Sequence, residues 1–270
     1  MADTRGLSVV IAGGGTGGHL FPGIAVAEAL LSLAPATTIT FVGTGRSVER
    51  QALGPYPYLY EVVKTPRLER SLHPANLKLP FEFATAVRKA RALLKRQGAH
   101  LVIGTGGYGS APVVIAASLA RIPRVLLEQN VIPGLTNRAL ARFSDLVCLT
   151  FEPAATYFNS RVRVLVTGNP IRTVTDVYDT APARERLGLA GEGFTVFVYG
   201  GSQGAKRLVE AVQGAWGEWG DDCVQLIIQT GAEAAIGVPE SWRPRVVVRP
   251  FFDDIYDCYR AADVVVGRAG

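Results

Sequence analysis

Ser8-Val9-Val10-Ile11-Ala12-Gly13-Gly14-Gly15-Thr16-Gly17-Gly18-His19 decides the fold of this chain. A short β-branched run enters a glycine-rich turn, and an apolar helical pattern follows. The same joint returns at Leu101-Val102-Ile103 into Gly104-Thr105-Gly106-Gly107-Tyr108-Gly109. A third copy runs from Thr195-Val196-Phe197-Val198-Tyr199 into Gly200-Gly201-Ser202-Gln203-Gly204. Glycine lets a backbone approach a ligand closely, and the following helix offers unpaired N–H groups at the positive end of its dipole. Three such turns point to phosphate-bearing ligands.

Around these turns, strand and helix patterns alternate. Strands are expected at 7–12, 38–42, 59–63, 100–103, 124–127, 146–149 and 162–166, and helices at 22–33, 46–53, 82–97, 111–120, 134–142 and 152–158. The β-branched runs are nearly all apolar, as strands buried on both faces of a parallel sheet require. Pro22 is expected near the start of its helix, which buries Ile24, Ala27, Leu30 and Leu31. Turn chemistry at Thr167-Gly168-Asn169-Pro170 breaks the pattern. A second series follows, with strands at 194–199, 224–229, 245–248 and 263–266 and a helix at 204–216. The expected architecture is α/β, with two Rossmann-like doubly wound parallel-sheet domains. Their expected bounds are 1–167 and 177–270, with a linker at 168–176. The last strand meets Gly267-Arg268-Ala269-Gly270 with no crossover after it, so the second domain is expected to be incomplete.

Composition excludes several classes. The chain has 270 residues, 48% hydrophobic and 19% charged, with 30 glycines and three widely spaced cysteines, Cys148, Cys223 and Cys258. No apolar run approaches the ~18 residues of a membrane span. Met1 to Gly6 lead straight into the first strand, with no signal-peptide composition. The cysteines suggest neither a disulfide framework nor a metal site, and a reducing cytoplasm is the expected setting. Nine Lys or Arg and two Glu lie between Lys64 and Gln97. That stretch carries +7 of a net +5, so the remainder sums to −2. Inside it, Leu72-His73-Pro74-Ala75-Asn76-Leu77-Lys78-Leu79-Pro80-Phe81-Glu82-Phe83 is apolar for a loop. Either it docks on an anionic bilayer or it packs beneath helix 82–97. The stretch lacks the interleaved aromatics of a nucleic-acid reader, and nucleic acid is not an expected partner.

Gly13-x-Gly15-x-x-Gly18 matches a dinucleotide fingerprint, but the second strand ends Phe41-Val42-Gly43-Thr44-Gly45 without the acid that would hold a ribose. No G-x-x-x-x-G-K-[ST] occurs, and no D-x-D triplet supports a metal-diphosphate site. His19, at a helix entrance, is either a general base or a histidine bonded to backbone. Ser202 and Gln203 either assist a diphosphate or cap the next helix. Arg172 is either a phosphate clamp or a solvated charge. Asn130, in Glu128-Gln129-Asn130 at a strand end, either bonds sugar hydroxyls or caps the turn into Pro133-Gly134.

Taken in order, six stretches resemble the MurG family of glycosyltransferases. They are Gly13-Gly14-Gly15-Thr16-Gly17-Gly18-His19-Leu20-Phe21-Pro22-Gly23, Gly104-Thr105-Gly106-Gly107-Tyr108, Glu128-Gln129-Asn130 with Gly134-Leu135-Thr136-Asn137, Gly168-Asn169-Pro170-Ile171-Arg172, Gly200-Gly201-Ser202-Gln203-Gly204-Ala205 and Phe251-Phe252-Asp253-Asp254. The resemblance implies a GT-B fold and inverting transfer of GlcNAc from UDP-GlcNAc to lipid I, forming lipid II in peptidoglycan synthesis. It implies a peripheral enzyme on the cytoplasmic face of the bacterial plasma membrane, with other cell-wall synthesis proteins as candidate partners and no cofactor or metal.

By the same resemblance, His19 would be the base. Thr16, Gly17, Gly18 and Asn130 would contact the transferred sugar, Arg172 and Ser202 the UDP diphosphate, and Phe252 the uracil. Gly106, Gly107 and Tyr108 would lie near the acceptor diphosphate. Leu72, Leu77, Leu79, Phe81, Lys78 and Arg88 would meet the membrane. Leu127 stands where the family often has histidine. The family's alanine–threonine–glutamate stretch and later glutamines would lie beyond Gly270, so the chain is expected to bind donor poorly or not at all. Another lipid-acceptor transferase, of the diacylglycerol type, or a nicotinamide-dependent oxidoreductase are the alternatives.

Overall fold

The computed structural model describes residues 6–15, 17–66, 78–171, 180–200, 206–215, 224–231, 236–238, 240–252 and 255–267. The chain divides into two compact units, residues 1–173 and 174–270.

The first unit is a seven-stranded sheet in which every pairing is parallel. Its strands are β1 (Ser8–Gly13), β2 (Thr38–Gly43), β3 (Leu59–Val62), β4 (Leu101–Gly106), β5 (Arg124–Glu128), β6 (Leu146–Leu149) and β7 (Val164–Val166). Helices α1 (Gly17–Leu33), α2 (Ser47–Leu53), α3 (Leu79–Arg96), α4 (Ala111–Leu119) and α5 (Leu135–Leu140) connect them. The spatial order is β3-β2-β1-β4-β5-β6-β7, so the winding reverses between β1 and β4. In open α/β sheets that reversal opens a crevice at the carboxyl ends of the strands.

Successive residues of the central strands feed two cores. Val10, Ala12, Val42 and Val102 pack with α3 and α4 through Ala90, Leu94, Val113 and Ala117. Val9, Ile11, Ile39, Phe41 and Ile103 pack with α1 through Leu20, Ile24 and Ala27. Period-two alternation between two apolar faces explains why these strands read as unbroken hydrophobic runs. Each fully buried side chain of this size contributes about 1.5–3 kcal/mol.

The second unit has four parallel strands ordered β10-β9-β8-β11. They are β8 (Phe194–Tyr199), β9 (Val224–Gln229), β10 (Val246–Arg249) and β11 (Val264–Gly267), with helices α6 (Thr180–Leu187), α7 (Lys206–Gly214) and α8 (Ile255–Ala261). Phe197 and Ile227 face α6 and α8, while Val196, Val198, Leu226 and Ile228 face α7 and Trp242. Arg184, 6% exposed, donates to the Ala261 and Gly191 carbonyls and to Asp263, whose Oδ2 also accepts the Thr195 N–H at 2.7 Å.

The structure amends the expected helices. The first begins at Gly17, a turn before Pro22, which lies inside it. Proline there removes the N–H that would pair with the Gly18 carbonyl and crowds that carbonyl, so the helix gives up one backbone bond. Ile24 and Ala27 are buried as expected, whereas Leu30 and Leu31 are only partly so. The segment expected as a helix at 152–158 is a 3-10 helix over Glu152–Tyr157. Helices α6 and α8 had no counterpart among the expected elements.

Gly104 on β4 is a packing glycine. A Cβ there would lie 2.7 Å from Leu126 Cδ2 and 2.9 Å from Val114 Cγ2. Gly104→Ala is therefore expected to destabilise the protein by about 1–3 kcal/mol through overpacking, read as a lower urea midpoint at unchanged m-value.

Candidate functional site

At the carboxyl edge of the first sheet, the ends of β1, β2 and β4 interlock. Gly15 adopts φ +87°, a left-handed conformation that favours glycine, and α1 starts two residues later. His19 therefore sits in the first turn of α1, beside β4. Its Nδ1 lies 3.1 Å from the Thr105 carbonyl. A carbonyl only accepts, so Nδ1 carries the proton and Nε2 of the neutral ring keeps its lone pair.

The imidazole lies against Gly106 and Gly107, with φ of +103° and +73°. A Cβ on Gly106 would fall 2.8 Å from His19 Nδ1, and one on Gly107 would fall 3.1 Å from His19 Cδ2. Two glycines in sequence thus make room for one ring. Tyr108 flanks the first turn, its Cε1 3.9 Å from where a Gly15 Cβ would be.

The first turn has a partner within the protein. Its Gly15 N–H donates at 2.7 Å to Glu49, a carboxylate on α2 that is 1% exposed. Glu49 also accepts the N–H groups of Thr44, Gly45 and Arg46, the Thr44 hydroxyl at 2.8 Å and the Tyr60 hydroxyl at 2.6 Å. The Gly15 carbonyl accepts from Arg46 Nη1 at 2.6 Å. A side-chain anion thus meets the Gly15 N–H of this turn.

Burial alone would push the Glu49 carboxyl up. The hydrogen bonds from Tyr60, Gly15 and Thr44 outweigh it and hold the group below the usual carboxylate range. Burial and the Glu49 partner raise the Tyr60 phenol.

At the end of β5, Glu128 is 2% exposed and organises the following loop. It accepts Asn130 N and Nδ2, Gly134 N at 3.1 Å and Asn137 Nδ2 at 2.9 Å. Asn130 is itself exposed and anchored by these bonds. Asn137, 3% exposed, keeps a buried Oδ1 with no hydrogen-bond partner, and both polar atoms of the Gln129 side chain are likewise buried and unpartnered. The Asn137 amide lies 3.5 Å from where a Gly106 Cβ would be, so the β5 loop borders the His19 set. Leu127 is buried in the core facing α1.

The structure thus brings together Gly17, Gly18, His19, Gly106, Gly107 and Tyr108 at the reversal point, with Asn130 on the neighbouring loop. In the second unit Phe252 is 2% exposed, its ring edge-on to Phe197 and beneath the Arg249 guanidinium at 5.3 Å. Lys78, Phe81 and Arg88 are exposed at and along the start of α3, Phe81 to 79%, while Leu79 is partly covered and Ala86, Ala90, Leu93 and Leu94 face the core. Thr16, Leu72, Leu77, Arg172 and Ser202 lie outside the described residues. Among the described residues, no helix is long and apolar enough to cross a membrane.

Comparison with known proteins identifies the family. The glycosyltransferase family 28 N-terminal domain matches residues 9–148, and the C-terminal domain of that family matches residues 195–270. A protein of Myxococcus xanthus named UDP-N-acetylglucosamine–N-acetylmuramyl-(pentapeptide) pyrophosphoryl-undecaprenol N-acetylglucosamine transferase is 38% identical over 98% of this chain and 69% of its own length. The chain belongs to the MurG family. A second relative of that name, from Trichlorobacter lovleyi, is 36% identical over 98% of the chain and 74% of its own length. The crystal structure of Acinetobacter baumannii MurG superposes with a TM-score of 0.64 at 26% identity, covering 98% of this chain and 72% of that one. The two parallel sheets are those of the GT-B architecture that the MurG family shares.

Glu49 was not among the residues singled out from the sequence. Its ionised form is bound in the folded protein, so it stabilises the fold above the unfolded glutamate value and stops doing so as pH falls through its lower native one. The stability gap between wild type and Glu49→Gln is expected to be widest above the unfolded glutamate value of about 4.3 and to shrink progressively as pH falls below it, measured by urea unfolding across pH.

Proposed function

We propose that this protein transfers GlcNAc from UDP-GlcNAc, with inversion, to the 4-hydroxyl of the MurNAc sugar of lipid I, undecaprenyl-diphospho-MurNAc-pentapeptide, giving lipid II for peptidoglycan. The observation that carries this reading is the match over 98% of the chain to transferases named for that reaction. The geometry of His19 supports it. Its proton-bearing Nδ1 is tied to Thr105, which leaves Nε2 to accept the proton of the incoming hydroxyl. The hydroxyl oxygen forms the new bond to the anomeric carbon as the bond to UDP breaks, and UDP departs with the electron pair.

In this reading Thr16, Gly17, Gly18 and Asn130 hold the transferred sugar. Gly106, Gly107 and Tyr108 receive the acceptor diphosphate. Arg172 and Ser202 stabilise the leaving diphosphate, a role for charged and polar donors that needs no metal. Phe252 forms the apolar floor beneath the uracil. Residues 1–167 serve acceptor and membrane, 177–270 serve the donor, and 168–176 link them.

The start of α3, with Phe81 exposed beside Lys78 and Arg88, supports docking on an anionic bilayer at its cytoplasmic face, together with Leu72, Leu77 and Leu79. Other cell-wall synthesis proteins are proposed partners at that surface.

Incubating the full-length gene product with UDP-GlcNAc and lipid I, with diacylglycerol as the control acceptor, is expected to yield lipid II and no glycosyl-diacylglycerol. His19→Ala is expected to lower kcat about 10²- to 10⁴-fold, the usual worth of a general base, with KM for UDP-GlcNAc nearly unchanged; undiminished turnover removes His19 from the role. Leu79→Ser with Phe81→Ser is expected to weaken sedimentation with phosphatidylglycerol vesicles, and equal binding of both forms ends the membrane assignment.

A further inference from the structure

The β2–α2 turn holds an anion where the first glycine turn concentrates positive potential. Converging backbone N–H groups at a glycine turn, next to a helix start, ordinarily receive a phosphate. Here the Glu49 carboxylate receives them. Six donor groups reach its two oxygens, from Gly15, the backbone and side chain of Thr44, Gly45, Arg46 and Tyr60. A carboxylate has about four lone-pair sites, so this one is saturated. It is also unreachable by solvent at 1% exposure.

Space for it is made on both sides. A side chain at Gly14 would collide with Glu49 Oε1, and one at Gly43 would come within 2.6 Å of Oε2. Gly15 is then gripped at both ends of its backbone, its N–H by Glu49 and its carbonyl by Arg46. Two residues later α1 begins, and two further on stands His19, which is tied from the opposite side to Thr105.

We propose that Glu49 and Arg46 are positioning residues that fix the Gly15 backbone ahead of α1 and so the place of His19 for sugar transfer. The segment that carries His19 is then held at two points, Gly15 by the β2–α2 turn and the imidazole by the end of β4. This inference rests on the transferase reading for its kinetic part and on the hydrogen bonds alone for its structural part.

The test uses Glu49→Gln, Glu49→Asp and Arg46→Met in the full-length gene product. For Glu49→Gln, kcat is expected to fall about ten- to hundredfold, the effect of a misplacement near 1 Å, with KM for UDP-GlcNAc and for lipid I changed less than about threefold. Hydrogen exchange at the Gly15 amide is expected to quicken at least about tenfold once its acceptor is weakened, while amides of β5 and β6 keep their wild-type rates. Glu49→Asp, which keeps the charge, recovers part of both losses. A Gly15 amide exchanging at the wild-type rate, or a kcat that falls only in step with the folded fraction, overturns the proposal.

Should Glu49→Gln fail to fold, Arg46→Met cuts an exposed side chain and is expected to reduce kcat at an unchanged thermal midpoint. Unchanged kcat with unchanged exchange at Gly15 and Gly17 in that variant overturns the proposal as well. If the wild-type protein makes no lipid II, the transferase reading fails by itself, and the exchange measurements still decide the clamp.

Discussion

One buried carboxylate organises the edge on which everything else in the first unit depends. Glu49 stands on a short helix, yet its partners come from the ends of β1, β2 and β3. A buried charge without a cation at its side is costly, and only a full set of donors makes it tolerable. That requirement works in reverse as a constraint on the backbone. Gly14 and Gly43 leave room for the carboxylate, and Gly15 and Gly45, both at positive φ, turn their amides onto it. Gly14 and Gly15 of this turn therefore serve an internal ligand.

The neighbouring turn uses glycine differently. Gly106 and Gly107 leave the footprint of an imidazole, and Thr105 supplies the carbonyl that chooses its tautomer. A third arrangement appears after β5, where Glu128 ties Asn130, Gly134 and Asn137 into one loop. Three loops on one sheet edge thus reach order by three devices: an internal anion, a packed ring and a carboxylate hub. The unpartnered acceptor of Asn137 and the Gln129 amide are the polar groups these devices leave unsatisfied, and they border the same reversal point.

Strands were legible in the sequence because burial on both faces writes itself as unbroken β-branched runs. Val224–Gln229 and Phe194–Tyr199 match their expected spans, and most others agree within one to three residues. Helix α1 was placed too late because Pro22 looks like a first-turn residue, whereas the preceding Gly15 turn lets the helix start earlier. Helices α6 and α8 escaped because their inward faces (Ala183, Arg184 and Leu187; Asp257, Cys258 and Ala261) each bury a charged residue and so show no apolar period. At the site, His19 and its two glycines were visible as a motif. Glu49 was not, since its meaning arises from partners up to 34 residues away. The clue was the run Gly43-Thr44-Gly45 that lacked a ribose-binding acid. The acid lies four residues beyond it and turns back onto the protein. Phe252, proposed to lie beneath the uracil, packs edge-on to Phe197.

The bond between His19 and Thr105 joins positions 86 residues apart, and β1 meets β4 across a similar span. Parallel pairings of that separation must first meet the entropy of closing a long loop, which delays them during folding. A chain with β1, β2 and β3 assembled but β4 still undocked has its first glycine turn shaped by Glu49, yet nothing to orient the imidazole. The seating of the His19 ring in this architecture is consequently a late event of maturation, arriving only when the middle of the sheet closes.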